Sequence, residues 1–310
     1  MESEQDLLEE ARASTNILAA AQEPTDRYRP LQFENAVEFL YVFDRALREG
    51  KKDLHPWQRE VLLFLSNKDL YKFRLDTPLT FYLCACNGSG KDAYVIAGIA
   101  CFALCCWKRY KIVITSSSDQ QLDTQTRSYI KNLCEEVNQF LKESWGIPEV
   151  ISIKTETFKS KTFTDSDGSK FSLTGGEILT FVTKEGGKAE GHHPYPDAEP
   201  GEGVMLIANE AKTIPQEIFD HFQKCTYNIF LKVSSSGEAA ENFYRGFSNA
   251  RNWDEGYIPG KPFKRKITYL DCPHLADRIP GEIEEYGEDS DWFRKTRKSE
   301  FVSTDANVVV

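Results

Sequence analysis

The 310-residue sequence predicts an α/β fold: a mostly parallel sheet covered on both faces by helices, with a helical segment ahead of it. Two observations predict this. After Pro78, apolar runs of five to seven residues alternate with helical stretches, the pattern of βαβ units. The runs are apolar at nearly every position, as strands buried on both faces are. Composition agrees: 40% hydrophobic and 28% charged residues support a packed core in one large domain or two small ones.

The elements follow in order. Residues 2–22 read as a polar helix ending near Pro24. Residues 33–49 carry apolar side chains at spacings of three and four, which predicts one amphipathic helix closed by Gly50. Residues 56–66 read as a helix with Pro56 at its start. Strands are expected at 79–85, 111–115, 178–183, 203–208, 229–234 and 266–270. Helices are expected at 90–107, 119–144, 215–224, 240–250 and 280–286. The polar stretch 155–177 reads as an antiparallel excursion or a loop, and 184–202 as a loop rich in Gly, Pro and His.

Charge and cysteine content narrow the function classes. The formal net charge of −10 argues against a protein that coats nucleic acid. Residues 1–10 and 282–291 hold five and six acids and no base, so the rest of the chain is close to neutral and can still carry a basic groove. The longest apolar run, Tyr94 to Trp107, is short of the roughly 20 residues that span a bilayer. The N-terminus is acidic, with no basic or apolar leader region, so no secretory signal is expected. Eight cysteines lie mostly in apolar stretches, as reduced buried thiols do, and none forms a finger-like metal spacing. A reducing, cytoplasmic compartment is expected.

Four motifs carry chemistry. Ala85-Cys86-Asn87-Gly88-Ser89-Gly90-Lys91-Asp92 follows a strand and opens a long helix, the context of a phosphate-binding loop. Gly88 and Gly90 let the backbone curl, the helix N-terminus adds partial positive charge, and Lys91 reaches the β- and γ-phosphates. Ala85 stands where the usual pattern has its first Gly, and Asp92 where it has the Ser or Thr that touches magnesium. In the second motif, a buried strand ends in Asn209-Glu210, 119 residues after Lys91 and on a strand expected to neighbour the loop's own. P-loop ATPases carry there an Asp for magnesium and then a Glu that polarises the attacking water. Glu210 fits the second role, while Asn209 replaces the Asp. Asp92 and Asn209 together read as an exchange: the carboxylate moves to the loop, the formal charge is kept, and both residues face the metal.

The third motif, Ser234, Ser235 and Ser236 at a strand end, suits sensing of a γ-phosphate. In the fourth, His55-Pro56-Trp57-Gln58, Gln58 can read an adenine edge and Trp57 can pack beside the base. The structural alternatives are a glycine turn, a helix cap, a strand-to-helix turn and a capped helix with a core Trp.

In this order, the pieces resemble the ATPase domain of the large terminase subunit of tailed bacteriophages. The matching stretches are LHPWQREVL, ACNGSGKD, VITSSSDQQ, KAEGHH, MLIANEAKTIPQEIFD, KVSSSGEAAENFYRGF, ITYLDCPHL and GEDSDWFRKTRKSEF, covering about residues 54–301. The resemblance implies a RecA-like P-loop NTPase over 54–301, a helical segment over 1–53 and a short tail over 302–310 where the family's nuclease domain would begin. It implies an ATP- and Mg2+-dependent motor that drives double-stranded DNA into a procapsid in the cytoplasm of the infected bacterium. The implied partners are a portal protein, a small terminase subunit and further copies in a ring, with no membrane and no nuclease activity from this chain. On this resemblance Lys91 binds phosphate, Glu210 activates water, Ser234 to Ser236 couple hydrolysis to movement, and Gln58 belongs to the adenine motif. Many family members carry an Arg in the loop; residues 83–87 have none, which leaves Arg127, Arg245, Arg251 or a neighbouring subunit as the source of an arginine finger.

DNA contacts are expected from the loop holding Lys184 and Lys188 and from the cluster Lys261, Lys264, Arg265 and Lys266. Two alternatives stand beside the motor. A helicase-like ATPase needs a Q-x-x-G-R-x-x-R string, which the 74 residues after Ser236 lack. A non-hydrolysing nucleotide-binding assembly protein is favoured by the departures at Asp92 and Asn209.

Overall fold

The computed structural model describes residues 28–67, 77–147, 149–164, 168–199, 201–239 and 242–303. The helix expected over 2–22 lies outside them. In chain order the strands are β1 (Leu79–Ala85), β2 (Tyr110–Ser116), β3 (Ile151–Ile153), β4 (Thr157–Ser160), β5 (Thr162–Thr164), β6 (Lys170–Ser172), β7 (Glu177–Val182), β8 (Gly203–Asn209), β9 (Ile229–Ser234), β10 (Arg251–Asn252) and β11 (Phe263–Ile267). The helices are α1 (Ala36–Phe43), α2 (Arg45–Arg48), α3 (Pro56–Ser66), α4 (Ala97–Cys106), α5 (Ser128–Trp145), α6 (Gln216–Gln223), α7 (Asn242–Asn249), α8 (Ile279–Tyr286) and α9 (Asp291–Thr296).

Nine strands form one sheet in the order β10-β11-β1-β9-β8-β2-β7-β4-β3. Every pairing from β10 to β7 is parallel, and β4 pairs antiparallel with both β7 and β3. Strands β5 and β6 make a separate antiparallel pair. The stretch 155–177 is therefore an antiparallel excursion. Strands β1, β2, β8 and β9 are buried along nearly their whole length, which is why their sequences are apolar at successive positions. One expectation changes: β8 does not neighbour β1, because β9 runs between them.

Helix α4 is apolar all round, and all ten of its residues are buried. It is covered on one side by the sheet and on the other by α1 and α3. Phe39 meets Phe102 edge-on at 6.1 Å, and the Leu31 amide donates to the Cys105 carbonyl. A Cβ on Gly98 would lie 2.9 Å from Leu40, so α1 approaches α4 only because residue 98 is glycine. Residues 31–47 thus share one core with the sheet. A second core on the opposite face gathers Phe219, Phe222, Phe230 and Phe243 from α6, β9 and α7.

Local chemistry moved several boundaries. The helix expected over 33–49 breaks at Asp44, which is extended and whose carboxylate accepts from the Ala46 and Leu47 amides. The last parallel strand spans Phe263–Ile267 rather than 266–270. Thr268 and Asp271 form a capping box that turns the chain into a 3₁₀ turn. Short elements without a periodic signal, β3 and α9, escaped the sequence pattern. Two π-helical turns precede long helices, Lys91–Ile96 before α4 and Leu122–Arg127 before α5. All eight cysteines are buried and unbridged. Among the described residues no helix is long and apolar enough to cross a membrane.

Candidate nucleotide site

The site forms at the C-terminal edge of the parallel strands, where β1 runs into the loop Cys86–Gly90. Gly88 and Gly90 both take positive φ, +79° and +81°. Gly90 is constrained twice, since a Cβ there would come within 2.8 Å of Gln58 Nε2. Gln58 is buried beneath the loop. Its Oε1 accepts the His55 amide and its Nε2 donates to the Ser89 carbonyl at 2.8 Å. In this arrangement the amide braces the loop while Gln58 also borders the cleft above it. Trp57 is a buried core residue, in keeping with the capped helix with a core Trp.

Two further braces hold the loop, and neither had a local sequence signal. His274 contacts the Gly88 carbonyl at 2.8 Å and stacks on His55, with 2.7 Å between their ring nitrogens. Burial and the facing imidazole hold His55 below its ordinary range. On the other side, the Asn87 amide donates to the Thr296 carbonyl, and Arg297 Nη1 donates to the Asn87 carbonyl at 2.7 Å. Arg297 is itself held by both oxygens of Glu282, each at 2.5 Å.

Lys91 begins the π-helical turn after the loop, and its Nζ lies 2.9 Å from Glu210 Oε1 and 3.3 Å from Asp92 Oδ2. All three side chains are buried. Burial pushes the Lys91 ammonium down, but the two carboxylates outweigh it and hold its pKa above the ordinary lysine value. Burial pushes Glu210 up, but Lys91, Lys212 and the Ser234 hydroxyl hold its carboxyl below the usual range. Glu210 adopts left-handed backbone, φ +50°, an unusual conformation for a residue with a Cβ and one that clusters at functional sites.

The two departures from the usual motifs touch each other. Asn209 Nδ2 donates to Asp92 Oδ1 at 2.6 Å and to Thr126 Oγ1 at 3.0 Å, and Thr126 lies 3.4 Å from the same Asp92 oxygen. Asn209 Oδ1 accepts the Glu210 amide at 2.8 Å. Asn209 thus turns its amide nitrogen, not its oxygen, toward Asp92, and in this arrangement it orients the Asp92 carboxylate. Asp92 supplies the carboxylate that a magnesium ion sharing phosphate oxygens and waters would need, so the residues fit that ion through Asp92. Thr126, on the second π-helical turn, was not legible in the sequence.

The serines at the end of β9 sit between these parts. Ser234 donates to Glu210 Oε2 at 3.2 Å, and Lys212 Nζ donates to Ser235 Oγ at 2.7 Å and to the Ser236 carbonyl at 2.9 Å. Ser236 donates to the Lys295 carbonyl at 2.7 Å, next to the Thr296–Arg297 brace. Lys212 was overlooked, although it stands two residues after Glu210. A cleft of 1220 Å³ opens over the loop, bounded by Asn87 to Asp92, by Gln125 and Tyr129 across from it, and by His55 and His274 at its lip.

The expected basic patches disperse. Lys264 and Arg265 alternate to opposite sides of β11: Lys264 bonds the Ser248 carbonyl, while Arg265 pairs with Glu60 at 2.5 Å and covers the Trp253 ring. Lys266 and Lys184 are exposed, and Lys188 pairs with Glu156 at 3.0 Å. Of the arginine-finger candidates, Arg127 is buried against Thr180, Asp119 and Asp123, and Arg251 bonds carbonyls in its own turn. Arg245 is exposed on α7.

Comparison with known proteins gives a fold. No protein-family model and no curated protein sequence matches the chain. Among solved structures, the ATPase domain of the large terminase of Thermus phage P74-26 superposes with a TM-score of 0.55 at 13% identity, over 87% of this chain and 100% of that domain. The large terminase of the thermophilic bacteriophage D6E in complex with ADP gives 0.52 at 11% identity, over 81% of this chain and 54% of that one. The HK97 bacteriophage large terminase gives 0.52 at 14%, over 85% and 54%. The chain therefore spans about half of those two longer terminases. It has the RecA-like fold of phage large-terminase ATPase domains.

Proposed function

We propose that this chain hydrolyses ATP as the motor part of a viral DNA-packaging terminase. The observation that supports hydrolysis most directly is the buried Lys91–Glu210 contact at 2.9 Å, which joins a phosphate-loop lysine to a carboxylate at the end of β8. On this reading the loop amides and Lys91 hold the β- and γ-phosphates. Glu210, kept ionised by Lys91, orients a water for in-line attack and accepts its proton. Ser234 registers the state of Glu210, and Lys212, Ser235 and Ser236 link it to the segment around Lys295. Magnesium, when bound, would neutralise charge on the phosphate oxygens, with Asp92 as its protein ligand and Asn209 and Thr126 fixing that carboxylate.

The motor role rests on the fold shared with phage terminase ATPase domains. It includes double-stranded DNA as the track, a homo-oligomeric ring, portal protein and small subunit as partners, and the cytoplasm of an infected bacterium as the place. The test is phosphate release by the purified chain with magnesium, with and without double-stranded DNA, comparing wild type with Glu210→Ala. Turnover stimulated by DNA and abolished in the variant is expected. Nucleotide binding without turnover in any condition would replace this reading with that of a nucleotide-binding assembly protein, which the Asn at 209 favours.

A further inference from the structure

The position of Asp92 bears on which form of nucleotide the site accepts. In the usual loop this position carries a neutral hydroxyl. Here it carries a carboxylate, and that carboxylate is not free to turn away. Its Oδ1 is held by Asn209 at 2.6 Å and flanked by Thr126 at 3.4 Å, both buried. Its Oδ2 consequently faces Lys91 Nζ, 3.3 Å away. Glu210 Oε1 lies 2.9 Å from the same ammonium. Any phosphate oxygen that reaches Lys91 must therefore enter beside two fixed carboxylates, one of them on the loop's own helix. Lys91, with Lys212 further off beside Glu210, does not offset two carboxylates and a triphosphate, and these buried side chains are weakly screened.

The geometry points to Asp92 as the residue that makes this site selective for metal-bound over free nucleotide. Resting on the nucleotide reading above, the inference is that nucleotide and divalent cation bind as one unit, because the cation is what lets a phosphate approach the Asp92 carboxylate. Asn209 and Thr126 are positioning residues for that selectivity. Asp92→Ser combined with Asn209→Asp would move the acid from the first helical turn to the end of β8 and weaken the demand for metal.

The test is equilibrium binding of ATP to the full chain by calorimetry, in magnesium and in EDTA. Wild type should bind roughly tenfold or more weaker in EDTA, since a single uncompensated charge contact of this closeness is worth at least that factor. Asp92→Ser, and Asp92→Asn as a near-isosteric control should the serine variant fold poorly, should bind within about threefold in the two buffers by the same reasoning. The Asp92→Ser, Asn209→Asp double variant should fall between. Equal wild-type affinity in magnesium and EDTA would overturn the inference while leaving nucleotide binding intact. No binding in either buffer would instead overturn the nucleotide reading. An undiminished magnesium requirement in Asp92→Asn would assign the selectivity to Glu210 rather than Asp92.

Discussion

Two ion clusters flank the phosphate loop, and they differ in charge balance. On one side Arg297 meets both oxygens of Glu282 and also bonds the Asn87 carbonyl, and Arg278 lies 3.5 Å from the same Glu282, so one carboxylate faces two guanidinium groups. On the other side Lys91 stands between Asp92 and Glu210, one cation against two carboxylates. The first cluster, with no spare carboxylate, is a brace. The second, unbalanced toward negative charge at Lys91, is held by the nearby Lys212 and by hydrogen-bond donors, here Asn209, Thr126 and Ser234. Excess charge held in place by donors is what a site for chemistry requires and what a brace does not.

The largest expected effect tests the unbalanced side. Glu210→Gln should lower turnover by about 10²–10⁴-fold, the usual cost of losing a general base. It should also lower the melting temperature modestly, because the ionised Glu210 carboxylate, held by Lys91, contributes to stability. A fall in melting temperature without a fall in turnover would erase the contrast between the clusters.

Next comes the brace. Arg297→Gln should cost about 2 kcal/mol by chemical denaturation, since it leaves Glu282 with Arg278 alone and the Asn87 carbonyl without its guanidinium donor. Turnover per folded molecule should change little. Replacing Arg297 and Glu282 together with leucine should recover much of that loss. If the double variant is as unstable as the sum of the single ones, the pair is not the brace described here.

A smaller effect is expected at Gln58, which supports the loop from below. Gln58→Ala removes two hydrogen bonds, about 1–2 kcal/mol, and should raise KM for ATP several-fold with kcat nearly unchanged. An equal fall in kcat would mean that the amide acts in the reaction itself.

The smallest effect is in acid. The Arg297 guanidinium holds the Glu282 carboxyl below its usual range, and Lys91 does the same for Glu210. A carboxyl whose folded value is depressed stabilises the fold fully above its unfolded value of about 4.3. That contribution is lost as pH falls through the lower, folded value. Melting temperature should therefore drop below about pH 4, and Glu282→Gln should flatten that slope. A slope unchanged in the variant would remove Glu282 from the acid-labile set.

What the sequence disclosed follows from how local each signal is. The loop, Lys91 and Glu210 were readable because a strand, a turn and a helix start are set by neighbouring residues. The contact between Asp92 and Asn209 was readable only as a chemical exchange, because 117 residues separate them. Arg297, His274 and Thr126 had no local pattern, since each reaches the loop or Asp92 through tertiary packing. The basic run Lys264 to Lys266 shows the opposite case. Adjacent in sequence, its side chains alternate across a strand, and Lys264 and Arg265 find separate partners on opposite faces. The insertion of β9 between β1 and β8 likewise has no sequence signature, yet it puts Ser234 within reach of Glu210.

The buried state of all eight cysteines has a practical consequence. A maleimide dye meets no exposed native cysteine thiol on the folded chain, so a single thiol introduced at fully exposed Asp289 can be labelled without stripping the protein of its own cysteines. Asp289 lies between α8 and α9, the pair that carries Glu282 and leads into Arg297. Fluorescence from that position would report whether nucleotide reaches the brace as motion, in the unaltered core, one turnover at a time.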